Sequence, residues 1–468
     1  MTLVRPSRSR RPIEAAIDRA AGARPIPGNR GRLLLDGPET YGVMLDLIAG
    51  ARRRIHLENY IIRDDATGRR FAGALAARAR EGLEVRVLYD WFGSIATSGR
   101  YWRGLRAAGV EVRRFNPPHP LRVFANLSRD HRKLLVVDGE RAVTGGQCIG
   151  NEWAGDPERG VPPWRDTGVE LAGPAALALD RAFARTWGLA GPPLQIAEDE
   201  PEAAPAGAAE VRVILSEPGG ERAYRTLEYL TAGTIERLWI TDAYLVPPPR
   251  LFQALVDAAR DGADIRLLVP GTSDVPVVRN LTRIGYRRLL RAGIRIFEWE
   301  GPMLHAKTMV GDGRWARIGT SNLNASSLLG NYEIDLLIED EGFAHAMEAQ
   351  FRCDLELSLE VERRAYHAPA SLQRVLPSGL QRRASTPVPA PRARGSRELR
   401  GRAAVAARTL ISGARRSVYG PVSALLVLLG LLFIGLPRYM AYGFGAACVW
   451  LAVAAGLEAF HRRTSRQD

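Results

Sequence analysis

The chain has 468 residues, 46% of them hydrophobic and 25% charged, with a formal net charge of +14. That supports two or three domains with real cores and excludes a disordered chain. Cys148, Cys353 and Cys448 are odd in number and far apart, which excludes a disulfide framework or zinc spacing and fits a reducing compartment. Residues 361–468 carry +13 and residues 1–30 carry +5, leaving 31–360 at −4, which argues against a nucleic-acid groove in the body and suits basic tails on anionic lipid.

In chain order, residues 1–30 read as a basic N-terminal tail without the apolar run of a signal peptide. The body that follows is an internal repeat. In residues 31–197, a strand over Ile55–Ile62 leads to an amphipathic helix over Phe71–Arg80. A turn at Glu81-Gly82, a strand over Val85–Tyr89, a helix over Tyr101–Ala108 and a strand over Val110–Phe115 follow. Glu198–Ala209 links this half to residues 210–364, where the order recurs. There the strand is Leu238–Val246, the helix Leu251–Arg260 and the turn Asp261-Gly262. The strand Ile265–Val269, the helix Asn280–Ala292 and the strand Ile294–Trp299 complete the set, and Glu341–Arg364 is expected to close the body as a helix. Strands alternating with helices predict an α/β fold with a parallel or mixed sheet.

Beyond the body, residues 365–416 form a Pro/Arg-rich linker. Its last part, 397–416, is an interfacial basic helix or a solvated connector. Residues 417–460 hold two uncharged runs of 19 residues, Val418–Leu436 and Tyr439–Leu457, separated by Pro437-Arg438. Each is long enough to span a bilayer, so a transmembrane hairpin is expected. Arginines on both flanks, including the tail 461–468, place both ends and the body on the cytoplasmic side of the inner membrane.

The repeat carries its chemistry in one motif. The chain has only two lysines, and both sit in H-x-K-x4-D: His131, Lys133 and Asp138, then His305, Lys307 and Asp312. Arginine serves every other cationic position, and a compact ammonium is not interchangeable with a planar fork in a tight site. On a strand, period two puts His and Lys on one face. The two copies predict one phosphate site assembled from two halves, without a cofactor and without a metal. One imidazole attacks phosphorus, the other moves the proton, and the lysines offset developing charge. Asp138 and Asp312 are expected to brace the turn after the strand. Asp166 and Glu333 are equivalent in the repeat, and each is expected to hold its own half's histidine in one tautomer. Asn322, in Gly319-Thr320-Ser321-Asn322, is a further phosphate contact.

These residues resemble the phospholipase D superfamily, and within it the bacterial cardiolipin synthase branch. The likeness rests on the paired motifs and on Ile55–Phe71, Val87–Trp91, Asp130–Asp138, Trp164–Pro174 and His305–Asn324. It covers about residues 33–360. In the first half, Cys148 stands where the family has Asn. The resemblance implies two α/β/α lobes about a pseudo-two-fold with the site between them. It implies phospholipid substrates, with a phosphatidyl group passed from one phosphatidylglycerol to another and glycerol released. It also implies His131 as nucleophile and His305 as acid/base. Hydrolytic phospholipase D is the alternative, since it uses the same residues. A nuclease fits the acidic body poorly. Oligomeric state is not legible.

Overall fold

The computed structural model describes residues 12–118, 128–197 and 199–362. After helix α1 (Pro12–Ala21) the first half runs β1 (Ile26–Leu35), α2 (Asp36–Ala49), β2 (Arg54–Asn59), α3 (Ala66–Arg80), β3 (Glu84–Asp90), α4 (Gly99–Ala107) and β4 (Glu111–Phe115). It continues through β5 (Lys133–Val137), β6 (Arg141–Gly145), the one-turn α5 (Asn151–Ala154), β7 (Thr167–Ala172) and α6 (Ala175–Leu189). The second half repeats the plan. It runs β8 (Ala209–Ser216), α7 (Arg222–Ala232), β9 (Arg237–Asp242), α8 (Pro249–Arg260), β10 (Asp264–Pro270), α9 (Pro276–Arg291) and β11 (Arg295–Trp299). Then come β12 (Lys307–Gly311), β13 (Trp315–Gly319), β14 (Glu333–Glu339), α10 (Glu341–Glu356) and β15 (Ser358–Glu360).

Local chemistry marks the boundaries. The Asp65 carboxylate accepts the Gly68 N–H at the start of α3, Ser98 caps α4 through the Tyr101 N–H, and Asp340 caps α10 through the Phe343 N–H. The turns after α3 and α8 place Gly82 and Gly262 at φ +92° and +106°, a conformation open to glycine and costly for other residues.

Read outward from the middle, the first lobe's sheet is β1-β7-β6-β5-β2-β3-β4 and the second's is β8-β14-β13-β12-β9-β10-β11, with β15 at the edge. Equivalent strands occupy equivalent places. Each lobe has three parallel strands, β2-β3-β4 and β9-β10-β11, beside antiparallel ones. Strands β1 and β8 pair antiparallel, Ile26 opposite Val211 and Asn29 opposite Ala209, so the two mixed sheets join into one order of 15 strands among the described residues.

The buried apolar residues form three clusters. One cluster lies under α2, α3 and α4 of the first lobe, and a second under α1, α7, α8 and α9 of the second. A third is shared: Phe183 and Trp187 of α6 and Met347 and Phe351 of α10 pack with residues from both sheets. The lobes therefore share a core and form one compact unit.

Three expectations need correction. Residues 1–30 are not all tail: Ile17, Ala20 and Ala21 of α1 are buried, and β1 starts at Ile26. The apolar spacing in that helix outweighs the local arginine content, and Asp18 pairs with the buried Arg212 at 3.0 Å. The closing helix ends at Glu356 rather than Arg364, because Ser358–Glu360 leaves it to extend the sheet beside β11. Glu198–Ala209 stops being linker at Ala209, where β8 begins. The expected linker 365–416, hairpin 417–460 and tail 461–468 lie outside the described residues. No helix among the described residues is long and apolar enough to cross a membrane.

Candidate active site

The two motifs occupy equivalent places beside the parallel strands. Strand β5 runs antiparallel to β2 with Lys133 opposite Asn59, and β12 runs antiparallel to β9 with Lys307 opposite Asp242. Each lysine thus sits at the carboxyl end of its lobe's parallel strands, with its histidine two residues before it.

The backbone at each histidine pairs with the other lobe. His131 N donates to the Tyr332 carbonyl (3.0 Å) and Tyr332 N to the Arg129 carbonyl (2.9 Å). In the mirror arrangement, His305 N donates to the Arg165 carbonyl (2.7 Å) and Arg165 N to the Met303 carbonyl (2.9 Å). The carboxylate one residue further on then faces the histidine one residue further on. His131 Nδ1 lies 2.9 Å from Glu333 Oε2, and His305 Nδ1 lies 2.8 Å from Asp166 Oδ2.

That corrects the expected pairing. Each carboxylate orients the opposite half's histidine, because the central strand pair delivers the start of β7 to the second motif and the start of β14 to the first. With each Nδ1–H given to a carboxylate, each Nε2 keeps its lone pair.

The surroundings hold the carboxylates ionised. Burial alone would raise Glu333, but His131, Lys133 and Ser327 hold it below the usual range. Thr320 Oγ1 donates to it at 2.5 Å and Ser327 Oγ also donates. Burial would likewise raise Asp166, and His305, Lys307 and the Thr167 N–H (2.8 Å) lower it. Gly146 makes room for it: a Cβ there would lie 2.0 Å from Asp166 Oδ1.

The histidines are pushed the other way. Burial lowers His131, reinforced by both lysines and opposed by Glu333. Burial and then Lys307 push His305 further below the imidazole range, against Asp166. Both imidazoles are therefore neutral at pH 7. Lys307 is fully buried and falls to about 8, with burial the main cause. Lys133 donates to the His131 carbonyl (2.6 Å) and Lys307 to the His305 carbonyl. Lys133 and Lys307 each act on both histidines, so the four groups form one electrostatic unit.

The remaining sequence-selected residues divide by place. Asp138 accepts the backbone N–H groups of Arg52, Arg53 and Arg54 (2.9, 2.8 and 2.9 Å). Asp312 accepts those of Ile235, Glu236 and Arg237 (3.0, 2.8 and 2.9 Å). Both brace the far end of their strands, away from the histidines. Asn322 is buried, its N–H donates to Ser327 Oγ (3.0 Å), and its Oδ1 is without a partner among the described residues. Cys148, at the equivalent place, is buried with its thiol pushed up by desolvation.

Sequence reasoning missed the rings around the histidines. Tyr60 stands edge-on to His131, with ring centroids 5.0 Å apart. Trp153, Trp164 and Tyr244 surround His305 at 5.6, 5.7 and 6.0 Å. Periodicity carries no sign of them, since all four lie in loops or a one-turn helix. It also missed a charged cluster behind His131: buried Arg132 lies 3.9 Å from Glu58, beside Asp130, where the second lobe has Thr241, Leu304 and Ala306. Among the described residues no group of three or more His, Cys, Asp or Glu is placed to hold a metal ion.

A duplicated α/β sheet with paired His/Lys motifs meeting at its midline defines the phospholipase D-like class. The family described as "Cardiolipin synthase, PLD-like domain" matches residues 44–152 and 227–355. Cardiolipin synthase A of Pseudomonas aeruginosa is 36% identical over 341 residues, 72% of this chain and 69% of that one. Cardiolipin synthase A of Pseudomonas syringae pv. syringae is 33% identical over 356 residues, 75% of this chain and 73% of its own. Among solved structures, phosphatidylserine synthase of Haemophilus influenzae superposes with a TM-score of 0.60 over 74% of this chain and 91% of that one, at 15% identity. Polyphosphate kinase of Porphyromonas gingivalis gives a TM-score of 0.51 over 72% of this chain and 49% of that one, also at 15% identity. Those two likenesses are of fold alone. The chain belongs to the cardiolipin synthase-like branch of the phospholipase D superfamily. It is accordingly a phosphatidyltransferase enzyme of that superfamily.

Proposed function

We propose that the enzyme passes a phosphatidyl group from one phosphatidylglycerol to a second, giving cardiolipin and glycerol, through a covalent phosphohistidine. One observation carries the reading: each motif histidine gives Nδ1 to a buried carboxylate, leaving two Nε2 atoms and two ammonium groups for one phosphate. His131 Nε2 attacks phosphorus, and a P–N bond forms as the P–O bond to the glycerol headgroup breaks. His305, protonated once the anionic phosphodiester is bound, gives its proton to the departing alkoxide. The hydroxyl of the second lipid then loses its proton to His305. Its oxygen bonds to phosphorus and the P–N bond breaks. Lys133, Lys307 and the Asn322 amide offset charge on the non-bridging oxygens. Glu333 and Asp166 keep the two rings in the required tautomer.

The reading also puts the chain on anionic lipid at the cytoplasmic face of the inner membrane. The two uncharged runs within 418–457 and their flanking arginines support that placement.

The test is incubation of purified full-length protein with phosphatidylglycerol labelled in its acyl chains. Label in cardiolipin, with one glycerol released per product, is the expected result. Label in phosphatidic acid alone would make the protein a hydrolytic phospholipase D, and label in neither would overturn the reading.

A further inference from the structure

Helix α9 carries an apolar stripe that nothing in the described fold covers. Val277, Leu281 and Ile284, spaced i, i+4 and i+7, are 69%, 48% and 76% exposed. The opposite face buries Thr282, Tyr286, Leu289 and Leu290. One turn further along, the stripe ends in Arg288 and Arg291, with Arg287 beside them. The first lobe has a counterpart in the segment after β3, the strand equivalent to β10. There Phe92 and Ile95 are 56% and 55% exposed.

Both patches begin next to residues that ring the histidines. The first abuts Tyr60: Ser94 Oγ donates to the Tyr60 carbonyl (3.2 Å), and Tyr60 rings His131. The second leads from Asp274, which accepts the Tyr244 hydroxyl (2.8 Å), and Tyr244 rings His305. Loop 91–95 and the start of α9 lie at the carboxyl ends of the parallel strands, the same end as Lys133 and Lys307, and α9 runs back from there toward the amino ends, so Arg287, Arg288 and Arg291 stand farthest from the histidines.

We infer that α9 and the loop 91–95 are a docking rim that seats the mouth of the site on an anionic lipid bilayer. The inference rests on the phospholipid reading above and assigns the surface that serves it. Val277, Leu281, Ile284, Phe92 and Ile95 enter the headgroup–acyl boundary, and the arginines at the far end of α9 stay with lipid phosphates. Charge selects this occupant over a second copy of the chain. Helix α9 contains no acidic residue, so pairing it with itself in either direction offers its arginines no carboxylate across the seam, whereas an anionic surface meets them with phosphate.

The experiment uses the full chain with Cys353→Ser and Cys448→Ser, reconstituted into vesicles and carrying a nitroxide on Ile284→Cys. A nitroxide on Ile235→Cys is the reference. Ile235 is exposed too, but its N–H bonds Asp312 at the opposite end of the sheet. In phosphatidylglycerol vesicles the label at 284 is expected to be at least about tenfold less accessible to an aqueous nickel chelate than the label at 235. In phosphatidylcholine vesicles that difference is expected to shrink several-fold. Equal accessibility at the two positions in phosphatidylglycerol, or equal protection in both lipids, would overturn the inference. So would spin–spin coupling between labels at 284, which would assign the stripe to a second copy. Accessibility is read without turnover, so it stands apart from the product assay. A second readout is the triple variant V277D/L281D/I284D. It is expected to lose at least tenfold activity on vesicles while keeping activity on short-chain phosphatidylglycerol dispersed as monomers. Equal loss on both would also overturn the inference.

Discussion

Glu333 and His131 are 202 residues apart in the chain and meet at 2.9 Å across the boundary between the lobes. The reciprocal pair, Asp166 and His305, spans 139 residues. Neither lobe holds a complete acid–base unit. Each supplies the imidazole of one and the carboxylate of the other.

Removing either carboxylate should therefore damage the histidine of the opposite half. Glu333→Gln and Asp166→Asn are each expected to cut turnover by on the order of 10² to 10⁴, the range seen when an orienting carboxylate is lost. The two should differ in single-turnover trapping. With His131 as nucleophile, Glu333→Gln slows formation of the phosphoenzyme. Asp166→Asn acts on proton transfer, and the little phosphoenzyme it forms persists. Label mapped to His305 instead would exchange the roles.

Lys307 separates activity from stability. Its folded pKa of about 8 lies below that of an ordinary lysine, chiefly through burial. Between pH 8 and about 10 the unfolded chain holds more protons than the folded one, so this group's contribution to stability rises with pH across that window. The phosphate-stabilising charge is lost over the same window. The kcat/KM profile is expected to fall above about pH 8 while this contribution to thermal stability rises. Lys307→Met should abolish turnover and raise stability at pH 7 by roughly 1–3 kcal/mol, measured by denaturant unfolding.

The motif aspartates should behave differently from the histidines. Asp138→Ala and Asp312→Ala each leave three backbone N–H groups without their acceptor. A loss of roughly 2–4 kcal/mol in unfolding free energy is expected, with kcat of the folded fraction within several-fold of wild type. His131→Ala and His305→Ala should do the reverse, abolishing turnover with modest change in stability.

Activity should persist in excess chelator, because the site supplies cationic charge from its own lysines. Loss on chelation with recovery on adding Mg²⁺ or Zn²⁺ would show that a metal takes part. The tail gives a further prediction. Full-length protein should stay with membranes in high salt and carbonate, while a chain ending near Arg364 should be released by salt and keep its activity on detergent-dispersed lipid.

Much of this arrangement was legible in the sequence because it is local. Two lysines in two matching motifs marked the site, alternating strands and helices gave the lobes, and the repeat gave their equivalence. The exchange of carboxylates was not legible. Alignment of the halves makes Asp166 and Glu333 equivalent but says nothing of which imidazole each reaches. That depends on β1 pairing with β8 and on the bridges at Tyr332 and Arg165, contacts between segments more than 130 residues apart. The amphipathic α1 was masked by counting charge over the whole segment, since the helix itself holds one arginine, the exposed Arg19, while Ile17 is buried.

The crossing of the carboxylates also constrains how such a fold can arise. A free-standing half would own a histidine with nothing to orient it, so a half-length ancestor could have worked only as a pair of identical chains lending each other carboxylates. Joining the copies end to end frees them from having to match. The present chain has used that freedom: Asp130 and Arg132 beside one histidine have become Leu304 and Ala306 beside the other, and Cys148 answers Asn322. Two positions that symmetry would have kept equal can then specialise, one to receive the phosphoryl group and the other to move the proton.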